Sequence, residues 1–328
     1  MTAEAIDRLL TPCLSSHPAC AQAPGTVEER VEGQLATPMP ALADEEGAAL
    51  PKGLPEVIDG HVHLFPERLF EAIWDWFHEH GWPIRYQLHA EAVLQFLFER
   101  GVSRVVALHY AHKPGIARDM NQWMSSLVAR WPRVLGTATV FPGEEGAVEI
   151  LREAFALGLG GVKLHCHVQC FGPDEPAMHE VYSTCAEHSM PLVIHAGREP
   201  KSPAYHCDPH ELCAASKIER ALTDYPDLRI CVPHLGADEF DAYARLLERH
   251  DNLWLDTTMM LADYFSLEGA WPLLEVRPDR VLYGTDFPNL PYAWDREVRR
   301  LASRGLRDEH LEQVLGGVAR DLFGLDPL

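Results

Sequence analysis

Eight apolar, β-branched segments occur between residues 56 and 287, and stretches with helical spacing separate most of them. Near-continuous apolar strands need cover on both faces, which predicts a parallel sheet. Strands that alternate with helices predict the α/β class. The expected strands are 56–63, 104–110, 134–141, 160–168, 191–196, 228–234, 253–258 and 280–287. Eight strand–helix units favour a (β/α)8 TIM barrel, and an open doubly wound sheet is the alternative.

The two ends of the chain fall outside this repeat. Residues 1–52 are rich in Ala, Pro, Glu and Gly and show weak periodicity, so we expect an irregular N-terminal arm. Residues 53–328 then form the barrel domain, close to the ~250 residues that this fold usually takes. Amphipathic spacing over 308–325, beyond the helix expected after the last strand, predicts an extra C-terminal helix.

The composition excludes several classes of partner. A net charge of −21 disfavours nucleic acid and anionic membrane surfaces, although a local pocket still accommodates a small anionic substrate. No apolar run reaches the ~18–20 residues of a membrane span, and the N-terminus lacks the pattern of a secretory signal. The eight cysteines form no CxxC pair, so we expect reduced thiols and a cytoplasmic protein.

Polar side chains stand at the C-terminal ends of several expected strands. They are His61 and His63 on the first strand, His195 on the fifth, His234 on the sixth and Asp286 on the eighth. In a barrel these strand ends meet at one face, where catalytic residues collect. Residues two apart share a strand face, so His61 and His63 point together, with Asp59 one layer below. Because imidazole and carboxylate groups are ligands of Zn²⁺-like ions, the pattern predicts a metal site.

Five stretches carry a family resemblance: IDGHVH (58–63), GVKLH (161–165), VIHAG (193–197), PHLGA (233–237) and YGTDFP (283–288). A sixth, VARDLFGL (318–325), matches more loosely, with Val318 and Asp321 where the family usually has Asn and Arg. The chain resembles the amidohydrolase superfamily, in its amidohydrolase-related branch of metal-dependent TIM-barrel hydrolases and decarboxylases. The resemblance covers residues 56–325 and leaves most of the N-terminal arm without a match.

The resemblance implies a role for each matching residue. His61, His63, His195 and Asp286 are implied as ligands of one divalent metal ion, which is Zn²⁺ or, as the alternative, Mn²⁺. His234 and Asp286 are implied as the acid and base beside the metal. Three histidines and one carboxylate leave a coordination position for water or substrate, as in catalytic zinc sites. The family also implies a homodimer or a larger homo-oligomer.

Four further residues have two interpretations each. Lys163 is either a carbamylated bridge between two metal ions, as in binuclear relatives, or a lysine buried against a carboxylate such as Asp59. His165 and His167 share a strand face with Lys163, so they either contact substrate or pack within the barrel. Arg198, in the polar loop after the fifth strand, either holds a substrate carboxylate or forms a structural salt bridge.

The expected chemistry is that of a water molecule activated by a metal ion. Zn²⁺ lowers the pKa of bound water to about 7, and His234 or Asp286 takes the remaining proton. We therefore expect a hydrolase of a small carbonyl substrate, such as a lactone, an ester, an amide or a carbon–carbon bond next to a carboxylate. The alternative is a zinc-dependent non-oxidative decarboxylase of an aromatic or muconate-type acid. A catalytically silent ligand-binding barrel is the third interpretation, and the filled polar positions argue against it.

Overall fold

The computed structural model describes residues 42–198, 202, 204–264 and 269–326. Eight strands lie in this part of the chain, in the order that the alternation predicts. They are β1 (Ile58–His63), β2 (Arg104–Leu108), β3 (Val134–Gly136), β4 (Val162–His165), β5 (Leu192–His195), β6 (Ile230–Val232), β7 (Leu253–Asp256) and β8 (Val281–Leu282). Almost all of their residues are buried, as expected of strands that are covered on both faces.

Helices separate the strands along the chain. They are α1 (Glu67–His80), α2 (Ala90–Glu99), α3 (Ala117–Val128), α4 (Ala147–Ala156), α5 (Cys166–Gln169), α6 (Met178–Glu187), α7 (Pro209–Leu212), α8 (Ala215–Asp224), α9 (Phe240–Arg249), α10 (Leu273–Val276), α11 (Arg296–Ser303), α12 (Asp308–Glu312) and α13 (Val318–Phe323). A 3₁₀ turn spans His234–Gly236, and a π-helical turn, Gln313–Gly317, joins α12 to α13. Apolar helix faces, such as Val93, Leu94 and Leu97 of α2, join the main hydrophobic core.

Hydrogen bonds close the strands into a ring. Every pairing between neighbouring strands is parallel, in one ladder β1–β2–β3 and another β4–β5–β6–β7–β8. The segment after β3 joins β4, where the Lys163 amide donates to the Ala138 carbonyl over 2.8 Å. The segment after β8 joins β1, where the His63 amide donates to the Phe287 carbonyl over 2.9 Å. The predicted (β/α)8 barrel is therefore confirmed.

The fourth strand differs from its prediction. Residues 166–168, expected at its end, belong to the helical turn α5. The side chain of Gln169 accepts a 2.8 Å hydrogen bond from the His165 amide and donates to two backbone carbonyls beyond β2 and β3. This side chain supplies the bonds that a longer strand would have made, so the chain turns after His165. The expectation that His167 shares a strand face with Lys163 is wrong.

The lower half of the barrel interior is apolar and is closed by the C-terminal helix. Inward-facing strand residues and one face of α13 form a separate hydrophobic cluster. Its members include Val106, Val193, Cys231 and Trp254 from the strands, with Val318, Ala319, Leu322 and Phe323 from α13. The predicted extra C-terminal helix is present as α12, the π-helical turn and α13. Its apolar face seals the end of the barrel opposite to the polar strand ends.

Residues 42–52, the part of the predicted arm that the structure describes, lie against the barrel. Asp44 forms a salt bridge of 2.9 Å with Arg296, the first residue of α11. Residues 1–41 lie outside the described residues, so the domain boundary at residue 52 stays a prediction. In the described part of the chain, no helix is both long and apolar enough to cross a membrane.

Candidate metal centre and active site

Pairing between β1 and the segment after β8 brings three polar side chains together. His61 and His63 alternate along β1, and the amide of Asp286 donates to the His61 carbonyl over 2.9 Å. The two imidazole Nε2 atoms lie 3.2 Å apart. Asp286 Oδ1 lies 3.4 Å from Nε2 of His61 and 3.1 Å from Nε2 of His63. All three side chains are buried, so the structure assembles three of the four predicted metal ligands, here called the first group.

Two backbone features permit this close approach. Gly284 faces β1, and a Cβ at this position would stand 2.6 Å from both His61 Cβ and Thr258 Oγ1. Asp286 adopts a left-handed conformation with a φ of 75°, which is uncommon for residues other than glycine. Strained backbone of this kind clusters at functional sites, where the surrounding contacts hold it in place.

Asp59 ties β1 to the segment after β8 from below the first group. Its carboxylate accepts hydrogen bonds from the amides of His61 and Thr285, over 3.2 and 3.1 Å, and from the Thr285 hydroxyl over 2.6 Å. Burial raises the pKa of Asp59 to about 7. Its three hydrogen bonds hold the strand that carries the two histidines against the segment after β8.

Asp256, at the end of β7, orients two of the site histidines. Its Oδ2 accepts a hydrogen bond from His61 Nδ1 over 2.7 Å, and its Oδ1 accepts one from the His234 amide over 3.0 Å. The first contact assigns the His61 proton to Nδ1 and leaves a lone pair on Nε2, toward His63 and Asp286. Sequence reasoning missed Asp256. An acid at the C-terminal end of the seventh expected strand was a signal that could have found it.

His234 stands beside the first group, in the 3₁₀ turn after β6. Its ring centroid lies 5.6 Å from that of His61, and its Nδ1 donates to the Thr258 carbonyl over 3.0 Å. Its Nε2 is buried and has no hydrogen-bond partner among the described residues. A fixed imidazole with its second nitrogen left for a reacting group is the arrangement of a general acid–base residue, the role predicted for His234.

The fourth predicted ligand, His195, belongs to a second group of imidazoles. The β4–β5 register pairs His165 with His195, and their rings stack with centroids 4.0 Å apart. His167 lies 4.9 Å from His195 between ring centroids, and its Nε2 is 2.9 Å from the Gly197 carbonyl oxygen. On its other side the His195 ring is 4.5 Å from that of His234. His195 thus lies at the predicted face but outside the three mutually close ligands of the first group.

Burial and neighbouring charges set the protonation of the first group. Burial lowers the pKa of His61 well below its usual value, and the charge of Lys163 adds to this effect. Burial also lowers the pKa of His63, against the opposing effect of Asp286. Burial alone would raise the pKa of Asp286, but His63 and His61 hold it below its usual value. Neutral imidazoles and an ionised carboxylate are the forms that bind metal ions.

The two remaining predicted residues, Lys163 and Arg198, lie in different surroundings. Lys163 is fully buried, and its charge contributes to lowering the pKa of both His61 and His63. Arg198 instead donates from Nε to Asp238 over 2.7 Å, and Glu239 lies 3.4 Å from the same atom. Its guanidinium is therefore engaged in a salt bridge, the alternative interpretation of this residue.

Several solved structures are similar to this chain in fold. An uncharacterised TIM-barrel protein of Bordetella bronchiseptica has a TM-score of 0.64 and 18% identity, over 82% of this chain and 99% of that chain. A 5-carboxyvanillate decarboxylase of Novosphingobium aromaticivorans was solved in complex with manganese and a nitrobenzoic acid. Its TM-score is 0.58 and its sequence identity 17%, over 87% of this chain and 99% of that chain. A 2,6-dihydroxybenzoate decarboxylase of Rhizobium has a TM-score of 0.58 and 16% identity, over 84% of this chain and 100% of that chain. At these identities the likeness shows the fold.

Sequence comparison gives the family. No curated protein matches the chain. The family model described as Amidohydrolase matches residues 58–325, which include every strand and both histidine groups. Because this match spans most of the 328 residues, the chain belongs to the amidohydrolase family of TIM-barrel enzymes.

Proposed function

We propose that this protein is a divalent-metal-dependent hydrolase of a small, anionic carbonyl compound, such as a lactone, an ester, an amide or a carbon–carbon bond next to a carboxylate. One observation carries the proposal: His61, His63 and Asp286 converge with ligand atoms 3.1 to 3.4 Å apart, beside the buried Nε2 of His234. A metal-ligand group next to a general acid–base residue, at the C-terminal ends of barrel strands, is what metal-assisted hydrolysis requires.

The first group fits a divalent ion by the chemistry of its donors. The His61 lone pair on Nε2 points toward a second imidazole and an ionised carboxylate, and a cation relieves the repulsion among such groups. The Asp256–His61 contact is the carboxylate–histidine arrangement that orients metal ligands. We propose Zn²⁺, which suits these donors, with the manganese of the similar decarboxylase structure as the alternative. His195, implied as the fourth ligand, lies outside the first group.

His234 and Asp286 are the proposed proton carriers. Hydrolysis needs a base that takes a proton from water and an acid that returns a proton to the leaving group. The ionised Asp286 supplies the base, and His234 exchanges a proton at Nε2 while the Thr258 carbonyl holds its Nδ1 proton. A bound divalent ion would supply a Lewis acid for the carbonyl and lower the pKa of water.

Four residues are the proposed or neighbouring substrate contacts: Tyr110, His165, His167 and Arg198. The Tyr110 ring lies 5.8 Å from His63 and 4.9 Å from His165 between centroids, so it stands beside both histidine groups. Substrate contact by His165 and His167 stays a prediction. Binding of a substrate carboxylate by Arg198 also stays a prediction. The substrate would then share a guanidinium that is already paired with Asp238.

Non-oxidative decarboxylation is the second candidate, because structures of two decarboxylases of aromatic acids share this fold over nearly their whole length. The same residues would then serve a simpler task. His234 or Asp286 would deliver one proton to the carbon that loses CO₂, instead of moving protons in two directions. An aromatic or muconate-type acid is the proposed substrate for this reaction.

Product analysis of the metal-replete protein tests both candidates. A panel of lactones, esters, amides and aromatic carboxylic acids is incubated in ¹⁸O-labelled water and, separately, in deuterium oxide. Hydrolysis incorporates ¹⁸O into the product acid, whereas decarboxylation releases CO₂ and incorporates deuterium at the vacated carbon. A surface variant, His78→Ala, is the control, because His78 is exposed on α1.

The variants that test the roles are Asp286→Ala and His234→Asn. We expect Asp286→Ala to lose metal and turnover together, and His234→Asn to keep its metal and lose turnover. Full metal binding by Asp286→Ala would contradict the proposed centre. If the wild type binds metal but releases neither labelled acid nor CO₂, the proposed function fails and the silent ligand-binding barrel is favoured.

A further inference from the structure

Four cysteines stand in two pairs where α5 packs against the segment around α7. The pairs are Cys170 with Cys207 and Cys166 with Cys213, and all four thiols are free. The thiols of Cys170 and Cys207 each donate to the His167 carbonyl oxygen, over 3.5 and 3.4 Å, so both sulfurs lie beside one atom. We propose that Cys170 and Cys207 are a modification site, which forms a reversible disulfide on reaction with a low-molecular-weight disulfide.

The local fold holds both cysteines in place. Cys170 directly follows α5, with a left-handed φ of 52°. The residue before it, Gln169, fixes this turn through three side-chain hydrogen bonds to the backbone. Cys207 precedes Asp208, whose side chain caps α7 by accepting a hydrogen bond from the His210 amide over 2.9 Å. Because each cysteine adjoins a fixed turn, the two thiols are held near each other, as disulfide formation requires.

Accessibility and protonation distinguish this pair from the other one. Cys207 is partly exposed and Cys170 is 9% exposed, whereas Cys166 and Cys213, here called the buried pair, are fully buried. Hydrogen bonding with Cys207 lowers the pKa of the Cys170 thiol, against the opposing effect of burial. Burial instead raises the pKa of Cys213 well above its usual value. Since the attacking form is an accessible thiolate, Cys170 and Cys207 should react and the buried pair should not.

The reaction is thiol–disulfide exchange with a reagent RSSR, such as oxidised glutathione. The Cys170 thiol releases its proton, and the thiolate attacks one sulfur of the reagent and expels RS⁻. Cys207 then releases its proton, and its sulfur attacks the Cys170 sulfur of the mixed disulfide and expels the second RS⁻. Two cysteine thiols are thereby oxidised to one disulfide, and RSSR is reduced to two RSH that carry the two protons.

A bond between Cys170 and Cys207 would change the surroundings of His167, a predicted substrate contact. Both thiols would lose the proton that they donate to the His167 carbonyl. The segment of Cys207 also carries Tyr205, whose ring lies 5.5 Å from the rings of His167 and Trp76 between centroids. The bond would therefore link the turn that carries His167 to the segment that carries Tyr205. An effect on turnover rests on the proposed function, whereas the disulfide itself does not.

The experiment incubates the folded, metal-replete protein with oxidised glutathione, alkylates the remaining thiols after unfolding and maps the non-reduced peptides by mass spectrometry. Cys13→Ser/Cys20→Ser is the background, because these two cysteines lie outside the described residues. We expect a link between Cys170 and Cys207, with the loss of two hydrogen atoms, which dithiothreitol reverses, while the buried pair stays reduced. Two unreacted thiols, a stable glutathione adduct in place of the link, or a link within the buried pair would overturn the proposal.

Two variants make the test specific. Cys207→Ser keeps a hydroxyl donor for the His167 carbonyl but cannot form the link, so glutathione should remain attached at Cys170. Cys185 is fully buried on α6, and burial raises the pKa of its thiol to about 12, so Cys185→Ala should form the link as the wild type does. Circular dichroism checks that each variant is folded. Loss of the link in Cys185→Ala alone would overturn the assignment to Cys170 and Cys207.

Turnover before and after oxidation measures the effect on the active site. Displaced positioning residues lower catalysis, so kcat/KM of the linked protein should fall roughly tenfold and recover with dithiothreitol. The double variant Cys170→Ser/Cys207→Ser should keep its kcat/KM under the same treatment. A linked protein with unchanged kcat/KM would contradict the effect on the active site and leave the disulfide standing. Absence of turnover in both redox states would contradict the proposed function, and the peptide map would still decide the disulfide.

Discussion

The two halves of the barrel interior are built by the same strands and have opposite chemistry. On β5, Val193 lies in the apolar cluster with α13, and His195, two residues later, lies in the imidazole cluster. On β7, Trp254 and Asp256 are divided in the same way. One step of two residues along a strand therefore changes an apolar interior into a polar one.

The contrast separates stability from chemistry. The lower half buries apolar side chains against α13, which stabilises the fold at about 25 cal/mol per Å² of apolar surface removed from water. The upper half buries at least six histidines and two carboxylates, groups that are costly to remove from water without partners. Such a layer persists where its groups bind or react. Variants in the two halves should therefore alter different measurements.

The largest effect is expected for His234 in the upper half. His234→Asn removes the nitrogen that exchanges protons, so kcat should fall by roughly 10²- to 10⁴-fold. The Nδ2 group of Asn replaces the donor to the Thr258 carbonyl, so the midpoint of urea unfolding should change little. Steady-state kinetics and urea titration measure the two quantities, with His78→Asn on the exposed face of α1 as the control. Unaltered kcat would remove His234 from the mechanism.

Leu322 provides the converse experiment in the lower half. Its side chain is fully buried in the cluster that closes the barrel, so Leu322→Ala should cost about 2–5 kcal/mol in the free energy of unfolding. Its distance from the polar strand ends means that kcat/KM of the folded protein should stay unchanged. Leu157→Ala, at an exposed position after α4, is the matched control. A large loss of kcat/KM in folded Leu322→Ala would show that the two halves are coupled.

The same contrast explains how far the sequence predicts this structure. Strand number, order and the face that carries the chemistry follow from apolar segments and from polar residues at their ends. The grouping of His195 does not follow, because it depends on the β4–β5 register and on the turn that Gln169 stabilises after His165. Both are tertiary effects without a local signal. Asp256 was predictable from its position, but a single acid at a strand end has many structural explanations.

Asp59 lies between the halves, and its variant should change how stability depends on pH. Its pKa is raised to about 7 by burial, from an ordinary value of 3.8. Between these values the folded state keeps a proton that the unfolded state releases, so stability falls as pH rises through this window and is constant above it. The slope is about 1.4 kcal/mol per pH unit well below the folded pKa and flattens near it, so the loss from pH 5 to pH 7 is roughly 2 kcal/mol.

Asp59→Asn should remove this loss, because the neutral amide needs no proton and retains an oxygen for the amides of His61 and Thr285. Urea unfolding of the metal-stripped wild type and variant at pH 5, 6, 7 and 8 measures the difference. The stability of the variant relative to the wild type should therefore increase with pH up to about pH 7 and be constant above it. Parallel curves for the two proteins would show that Asp59 does not titrate in this range.

Asp256 gives the smallest expected effect and the finest test of the contrast. Asp256→Asn keeps the shape of the side chain but removes the charge that holds the His61 proton on Nδ1. Partners that orient metal ligands typically contribute 10- to 100-fold to metal affinity or activity, so zinc should bind the first group 10- to 100-fold more weakly. Competition with a chelator measures the zinc affinity of the wild type and the variant. Unchanged affinity would show that the Asp256 carboxylate does not orient His61 for the metal ion.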